Sequence, residues 1–195
     1  MNFPRICVFC GSNVGINPAY RQSAATLGGL LAKRGIEVVY GGGKIGLMGV
    51  LADAALAAGG RVIGVIPDSL MATEVGHPQL SELRIVSSMH ERKAIMSDLS
   101  DAFIALPGGF GTLEEFCEVL TWSQLGIQSK PCALLNVAGY YDPLLQLFDH
   151  AVREGFLREQ NRLLVMEEVD AETLLLKMSQ FRPATVSKWI TRDER

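Results

Sequence analysis

The chain has 195 residues, 48% of them hydrophobic, with 18 Lys and Arg against 21 Asp and Glu and a formal net charge of −3. That length fits one domain with a sizeable core, and slight acidity without a Lys/Arg-rich run argues against nucleic-acid binding or a membrane-surface role. No apolar run approaches the roughly 20 residues that span a bilayer. The first residues lack the order of a secretory signal, and Cys7, Cys10, Cys117 and Cys132 lie in or at the end of apolar runs, so a cytoplasmic protein with reduced thiols is expected.

Taken in order, apolar strand-like segments alternate with amphipathic ones. A strand is expected at residues 6–9, then a helix over 18–34 with Asn17 as its cap, Pro18 at the first helical position and Gly35 as its stop. A strand at 37–40 precedes a helix over 47–58 that Gly59 and Gly60 close. Strands at 61–66 and 83–86, a helix over 89–99, a strand at 102–106 and a helix over 113–124 follow. The remaining elements are a strand at 132–135, a helix over 143–154 capped by Asp142, a strand at 163–166 and a helix over 171–181 capped by Asp170.

Most of these strands are continuous apolar runs, as in a parallel sheet covered on both faces. The fold class expected is therefore α/β: a single doubly wound Rossmann-like domain over 1–195, with a mostly parallel sheet of about seven strands and a peripheral tail from about residue 182. Ligands bind such a sheet outside the carboxyl ends of its strands. The loops to inspect are thus 10–17, 41–46, 67–81, 87–88 and 107–111.

Gly41-Gly42-Gly43-Lys44-Ile45-Gly46-Leu47-Met48-Gly49 follows a strand and opens a helix. Its glycines either let backbone amides approach a phosphate or serve a tight turn and close helix packing. Gly41-x-Gly43-x-x-Gly46, with Asp68 at the end of the next strand, formally fits a dinucleotide fingerprint. A Walker A loop is excluded, because Ile45 follows Lys44.

Pro107-Gly108-Gly109-Phe110-Gly111-Thr112-Leu113-Glu114-Glu115 carries more information. Proline stops a buried strand, glycines free the backbone, and Thr112 starts a helix whose amides and hydroxyl could receive a phosphate. Thr112-x-x-Glu115 also fits a capping box, so on spacing alone Glu115 is equally a cap partner or a catalytic carboxylate. Arg92 falls on an apolar helical stripe with Met89, Met96 and Leu99, in the first turn, where the macrodipole disfavours a cation. An anionic partner would offset that cost, although an arginine reaching to solvent is the plain alternative. Lys93 beside it is open to either reading. Cys7-x-x-Cys10 lies on or just past a strand, where its members face opposite sides, so redox chemistry is not expected. His77, His90 and His150 have no ligand-like spacing, and no metal site is implied.

The 107–115 segment resembles the PGGxGTxxE motif of the LONELY GUY family, the cytokinin riboside 5′-monophosphate phosphoribohydrolases once labelled lysine decarboxylases. Cys10-Gly11-Ser12, Gly41-Gly42-Gly43, Gly46-Leu47-Met48-Gly49 and Met89-His90-x-Arg92-Lys93 agree with the family pattern, and the resemblance runs from about Arg5 to Phe181. It implies hydrolysis of a purine-type nucleoside 5′-monophosphate to free base and ribose 5-phosphate, with water, without a cofactor, by a protein that is commonly a homodimer. Carried over, Gly108, Gly109, Gly111 and Thr112 would hold the 5′-phosphate. Arg92 and Glu115 would be the catalytic pair, and Glu74 and Lys93 would help line the pocket, with Ser12, Gly42 and Gly43 also at the substrate. The competing readings are a nicotinamide-linked oxidoreductase built on Gly41, Gly43, Gly46 and Asp68, and a nucleotide-binding module without turnover. A lysine decarboxylase is rejected on chemistry, since no lysine has a context that would support the cofactor such a reaction needs.

Overall fold

The computed structural model describes residues 3–71 and 75–182. Seven strands form one sheet: β1 (Arg5–Phe9), β2 (Glu37–Tyr40), β3 (Val62–Pro67), β4 (Glu82–Val86), β5 (Ala102–Ala105), β6 (Cys132–Leu135) and β7 (Val165–Glu168). Their order is β4-β3-β2-β1-β5-β6-β7, and every pairing is parallel. The helices are α1 (Pro18–Lys33), α2 (Gly46–Ala57), α3 (Met89–Leu99), α4 (Phe110–Gln124), α5 (Asp142–Arg153), α6 (Glu159–Arg162) and α7 (Ala171–Ser179). The expected Rossmann-like α/β architecture is thus present, with a sheet that is wholly rather than mostly parallel.

Alternation along the strands divides the core. Ile6, Val8, Val38, Tyr40 and Ile104 face Leu27 and Leu31 of α1, Leu51 of α2 and Leu174 and Met178 of α7. Cys7, Phe9, Val39, Phe103 and Ala105 face Met96 of α3, Phe116 and Val119 of α4 and Leu145 of α5. Cys7 and Cys10 accordingly sit in different halves of the core, as strand spacing requires.

The helix starts follow two of the three sequence signposts. Asn17 Oδ1 accepts from the Ala19 amide at 3.0 Å, and Asp170 Oδ2 from the Thr173 amide at 2.8 Å. Asp142 is instead the first residue of α5, and its carboxylate takes a 2.7 Å bond from Asn136 Nδ2. The last strand lies two residues later than the apolar run suggested. The short helix α6 occupies the chain just before it, leaving Leu163 outside the sheet and largely exposed (78%).

From β1 the chain steps outward to β4; α3 then carries it back to β5, on the other side of β1. Connections therefore diverge between the carboxyl ends of β1 and β5, and a crevice opens there.

Candidate active site

A cavity of about 240 Å3 occupies that crevice. The end of β1 forms its floor through Val8, Phe9 and Cys10; Arg92, Gly109, Gly111, Thr112, Glu115 and Ser12 are among its walls. Loops far apart in sequence meet here because each leaves the carboxyl edge of a neighbouring strand.

The 107–111 loop is fixed by close backbone approach. A Cβ on Gly108 would lie 2.1 Å from Thr112 Oγ1 and 2.8 Å from the Gly11 amide nitrogen, so only glycine fits. The Gly11 amide donates to the Pro107 carbonyl at 3.1 Å, tying the β1 and β5 loops together. Gly109 and Gly111, by contrast, face space with no heavy atom within 4 Å of an added Cβ. Helix geometry leaves the first amides of α4 without intrahelical acceptors, so the loop end is shaped to receive an anion.

The capping box is not where spacing placed it. α4 begins at Phe110 with Gly109 as its cap, so Thr112 is already inside the helix, buried (4%) against Gly108. Glu115 lies in the second turn, at the cavity, rather than at the helix start. A box does form on α3. Ser88 Oγ accepts from the Glu91 amide at 3.2 Å, and the Glu91 carboxylate reaches back to the Ser87 amide at 2.8 Å and hydroxyl at 2.7 Å. That reach, led by the Ser87 hydroxyl, holds the Glu91 carboxyl below its ordinary pKa.

The α3 box places Arg92 one residue on, pointing into the cavity rather than to solvent. Arg92 is buried (5%), with Nη2 donating to the Gly41 carbonyl at 3.3 Å and Nη1 to Met89 Sδ at 3.7 Å. A Cβ on Gly41 would fall 2.0 Å from Nη2, so this glycine leaves room for the guanidinium. Cys7 lies beneath. Its thiol is pushed well up in pKa, first by burial and then by Glu115, with Arg92 opposing, so both charges act on the same point of β1.

The other expected residues are placed as follows. Lys93 Nζ is clamped between Glu114 at 2.6 Å and Glu118 at 3.0 Å, both on α4. Burial lowers its pKa, but the two carboxylates outweigh burial and raise it overall. Gly42 (φ +79°) packs on β3, with its carbonyl taking the His77 amide at 2.9 Å, and the Gly43 carbonyl accepts the Tyr40 hydroxyl at 3.1 Å. Gly46 (φ +64°) presses on the Ser12 backbone, and the Leu47 amide donates to the Gly11 carbonyl at 3.0 Å. The first glycine loop thus shapes the walls mainly through packing. Glu74 lies outside the described residues.

Some contributors had no predicted role. Met48, Met89 and the largely exposed Phe110, which lie inside the quoted motifs, and Leu70, which lies outside them, give the cavity apolar walls. Tyr140 donates to the Gly108 carbonyl, and Tyr141 to the Leu106 carbonyl at 2.6 Å, bracing the 107–111 loop from behind. Both tyrosines lie just beyond the carboxyl end of β6, the edge where any sequence search of this fold should look.

Known proteins similar to this chain in sequence fall in one family. A family model described as "Possible lysine decarboxylase" matches residues 48–178. A probable cytokinin riboside 5′-monophosphate phosphoribohydrolase of Oryza sativa subsp. japonica is 55% identical over 92% of this chain and 80% of its own length. A cytokinin riboside 5′-monophosphate phosphoribohydrolase of Arabidopsis thaliana is 50% identical over 93% and 85%. Among solved structures, the molybdenum cofactor carrier protein of Chlamydomonas reinhardtii superposes with a TM-score of 0.67 at 22% identity, covering 91% of this chain and 96% of that one, a likeness of fold alone. With the family model matching more than half of its length and plant relatives at least half identical over nine-tenths of it, the chain belongs to the LONELY GUY family.

Proposed function

We propose that this protein hydrolyses the N-glycosidic bond of a purine-type nucleoside 5′-monophosphate, a cytokinin riboside or adenosine 5′-monophosphate, releasing the free base and ribose 5-phosphate. One observation carries the reading: a glycine-lined helix start, a buried arginine and a carboxylate share one cavity at the β1/β5 crevice. The relatives' names supply the substrate class.

The chemistry divides among the residues. Gly108 gives the loop its shape, while the open faces of Gly109 and Gly111 and the first amides of α4 receive the 5′-phosphate with the Thr112 hydroxyl. This anchor is remote from the bond that breaks, so its binding energy serves to position the sugar. As the bond from C1′ to the base nitrogen breaks, its electron pair leaves with the base and positive charge grows on the ribose ring. Water adds to C1′ and gives up a proton. The Glu115 carboxylate stabilises that charge, accepts that proton and passes it to the departing base, and Arg92 keeps it ionised and oriented. Lys93 acts at the pocket edge through the α4 carboxylates it holds. The apolar walls from Met48, Leu70, Met89 and Phe110 suit a planar base.

We further infer a homodimer, on the family resemblance, and a cytoplasmic location, supported by four free thiols. Among the described residues no helix is long and apolar enough to cross a membrane. The test is chromatographic detection of free base from AMP, its N6-prenylated analogue and adenosine. AMP and its analogue are expected to be cleaved and adenosine to be a far poorer substrate; equal turnover of AMP and adenosine would remove the phosphate anchor.

A further inference from the structure

Asn136-Val137-Ala138-Gly139-Tyr140-Tyr141 leaves β6 at the carboxyl edge of the sheet and turns sharply. Ala138 (φ +52°) and Gly139 (φ +71°) are both left-handed, a conformation that is strained for alanine. Asn136 holds the turn, with Oδ1 accepting from the Tyr141 amide and Nδ2 donating to Asp142, both at 2.7 Å. The turn sends two adjacent phenols to the 107–111 loop. Tyr141 is buried and donates to the Leu106 carbonyl at 2.6 Å. Tyr140 is exposed, lies edge-on to the Tyr20 ring with centroids 5.7 Å apart, and donates to the Gly108 carbonyl.

The two bonds differ in what they orient. The Leu106 carbonyl belongs to the peptide that Pro107 closes, which has no N–H, so Tyr141 directs no donor. The Gly108 carbonyl shares a planar trans peptide with the Gly109 N–H, and in such a peptide the two groups point in opposite directions. Among the described residues no acceptor takes that amide. No side chain resists its reversal either. A flip of this peptide rotates ψ of Gly108 and carries Gly109 from φ −89° to positive φ, which glycine adopts freely. Orientation matters here because Arg92 is the one cation among the described residues lining the first cavity, against Glu114 and Glu115, and its Nη2 is engaged by the Gly41 carbonyl. A phosphate in this cavity depends on amides.

We infer that Tyr140 is a positioning residue for phosphate recognition: its hydroxyl locks the Gly108–Gly109 peptide with the carbonyl drawn outward and the Gly109 amide turned into the cavity. Tyr140 pulls the carbonyl to the side where it, Tyr20 and Asn13 line a separate hollow, and Gly109, Gly111 and Thr112 line the first cavity on the other side of the loop. Without the lock the carbonyl oxygen turns inward and meets the phosphate with partial negative charge where a donor is needed. The inference rests on the phosphate anchor proposed above. It separates the two tyrosines: the Tyr141 bond stabilises the end of β5, and the Tyr140 bond aims a donor.

The experiment compares wild type, Tyr140→Phe and Tyr141→Phe as full chains, titrated calorimetrically with ribose 5-phosphate and, separately, with adenosine, with Tm recorded on the same preparations. Tyr140→Phe should weaken ribose 5-phosphate binding about tenfold, as loss of a hydrogen bond to a charged group does, while adenosine binding and Tm stay close to wild type. In heteronuclear amide spectra, the Gly109 signal should move when ribose 5-phosphate is added to wild type and stay in place in Tyr140→Phe. Tyr141→Phe should do the reverse: a lower Tm, because the buried Leu106 carbonyl loses its donor, with ribose 5-phosphate weakened no more than adenosine. Wild-type affinity of Tyr140→Phe for ribose 5-phosphate, or equal weakening of both ligands, would overturn the inference. So would a wild type that does not bind ribose 5-phosphate. Release of base from AMP is assayed alongside. Its absence in a wild type that binds ribose 5-phosphate would remove the proposed activity, and the Tyr140 result would still be read on binding alone.

Discussion

Glu115 stands in the second turn of α4 with its charge felt at Cys7, and Thr112 three residues earlier is buried inside the helix rather than capping it. Replacing Glu115 with Gln therefore removes no cap. Glu115→Gln is expected to melt close to wild type while losing roughly 100-fold or more in turnover, because the amide can neither accept a proton nor stabilise positive charge. Turnover and Tm on one preparation check this, and near-normal turnover would remove Glu115 from the mechanism. The loop glycines divide by the space around them. Gly108→Ala drives a Cβ into Thr112 Oγ1 and the Gly11 amide and should cost about 1–3 kcal/mol of stability. Gly111→Ala meets no atom within 4 Å, so its Tm should hold while KM for AMP rises as the methyl enters the phosphate's space. Matching Tm losses in both variants would contradict the assignment.

Helices α3 and α4 carry the two charges of the site, and the Lys93 clamp onto Glu114 and Glu118 ties them together. The Lys93 side chain is largely buried (13% exposed), while Glu114 is half exposed, so the clamp is worth about 1 kcal/mol rather than more. Lys93→Met should lower stability by that amount and raise KM more than it lowers kcat, since it loosens α3 against α4. The pKa of Lys93 is raised in the folded state. Its stabilisation is therefore fully present below the unfolded lysine value of about 10.4 and is lost as pH rises through the higher folded value. The Tm gap between wild type and Lys93→Met should accordingly stay constant around neutral pH and close in strong alkali; a gap that persisted in strong alkali would refute the clamp.

At the scale of the molecule, the all-parallel order puts the topological switch between β1 and β5, and the crevice there collects residues from positions 8 to 115. Exposed apolar side chains such as Phe156, Leu163 and Leu147 lie on the α5–β7 side of the fold. Light scattering at micromolar concentration is expected to return the mass of two chains, and a single-chain mass would contradict the homodimer.

The sequence by itself determined the number of strands and their succession along the chain, though not their order in the sheet, since buried parallel strands are continuous apolar runs. It also marked Asn17 and Asp170 as caps, because an N-cap acts on its own helix. It located the crevice loops through their glycines. It could not decide whether Thr112-x-x-Glu115 was a cap, because Ser88-x-x-Glu91 has the same spacing and only the chain's path shows which serine or threonine precedes a first turn. Nor could it separate Gly108, wedged against Gly11, from Gly111, which faces open space, or the packing glycines at 42 and 46 from those of the cavity. Contacts between segments distant in the chain make those distinctions, from Gly42 against Ile66 to Gly108 against Gly11, and the Tyr140 and Tyr141 braces are of the same kind. Such contacts have no local pattern, because they depend on which strand edges the sheet order brings side by side.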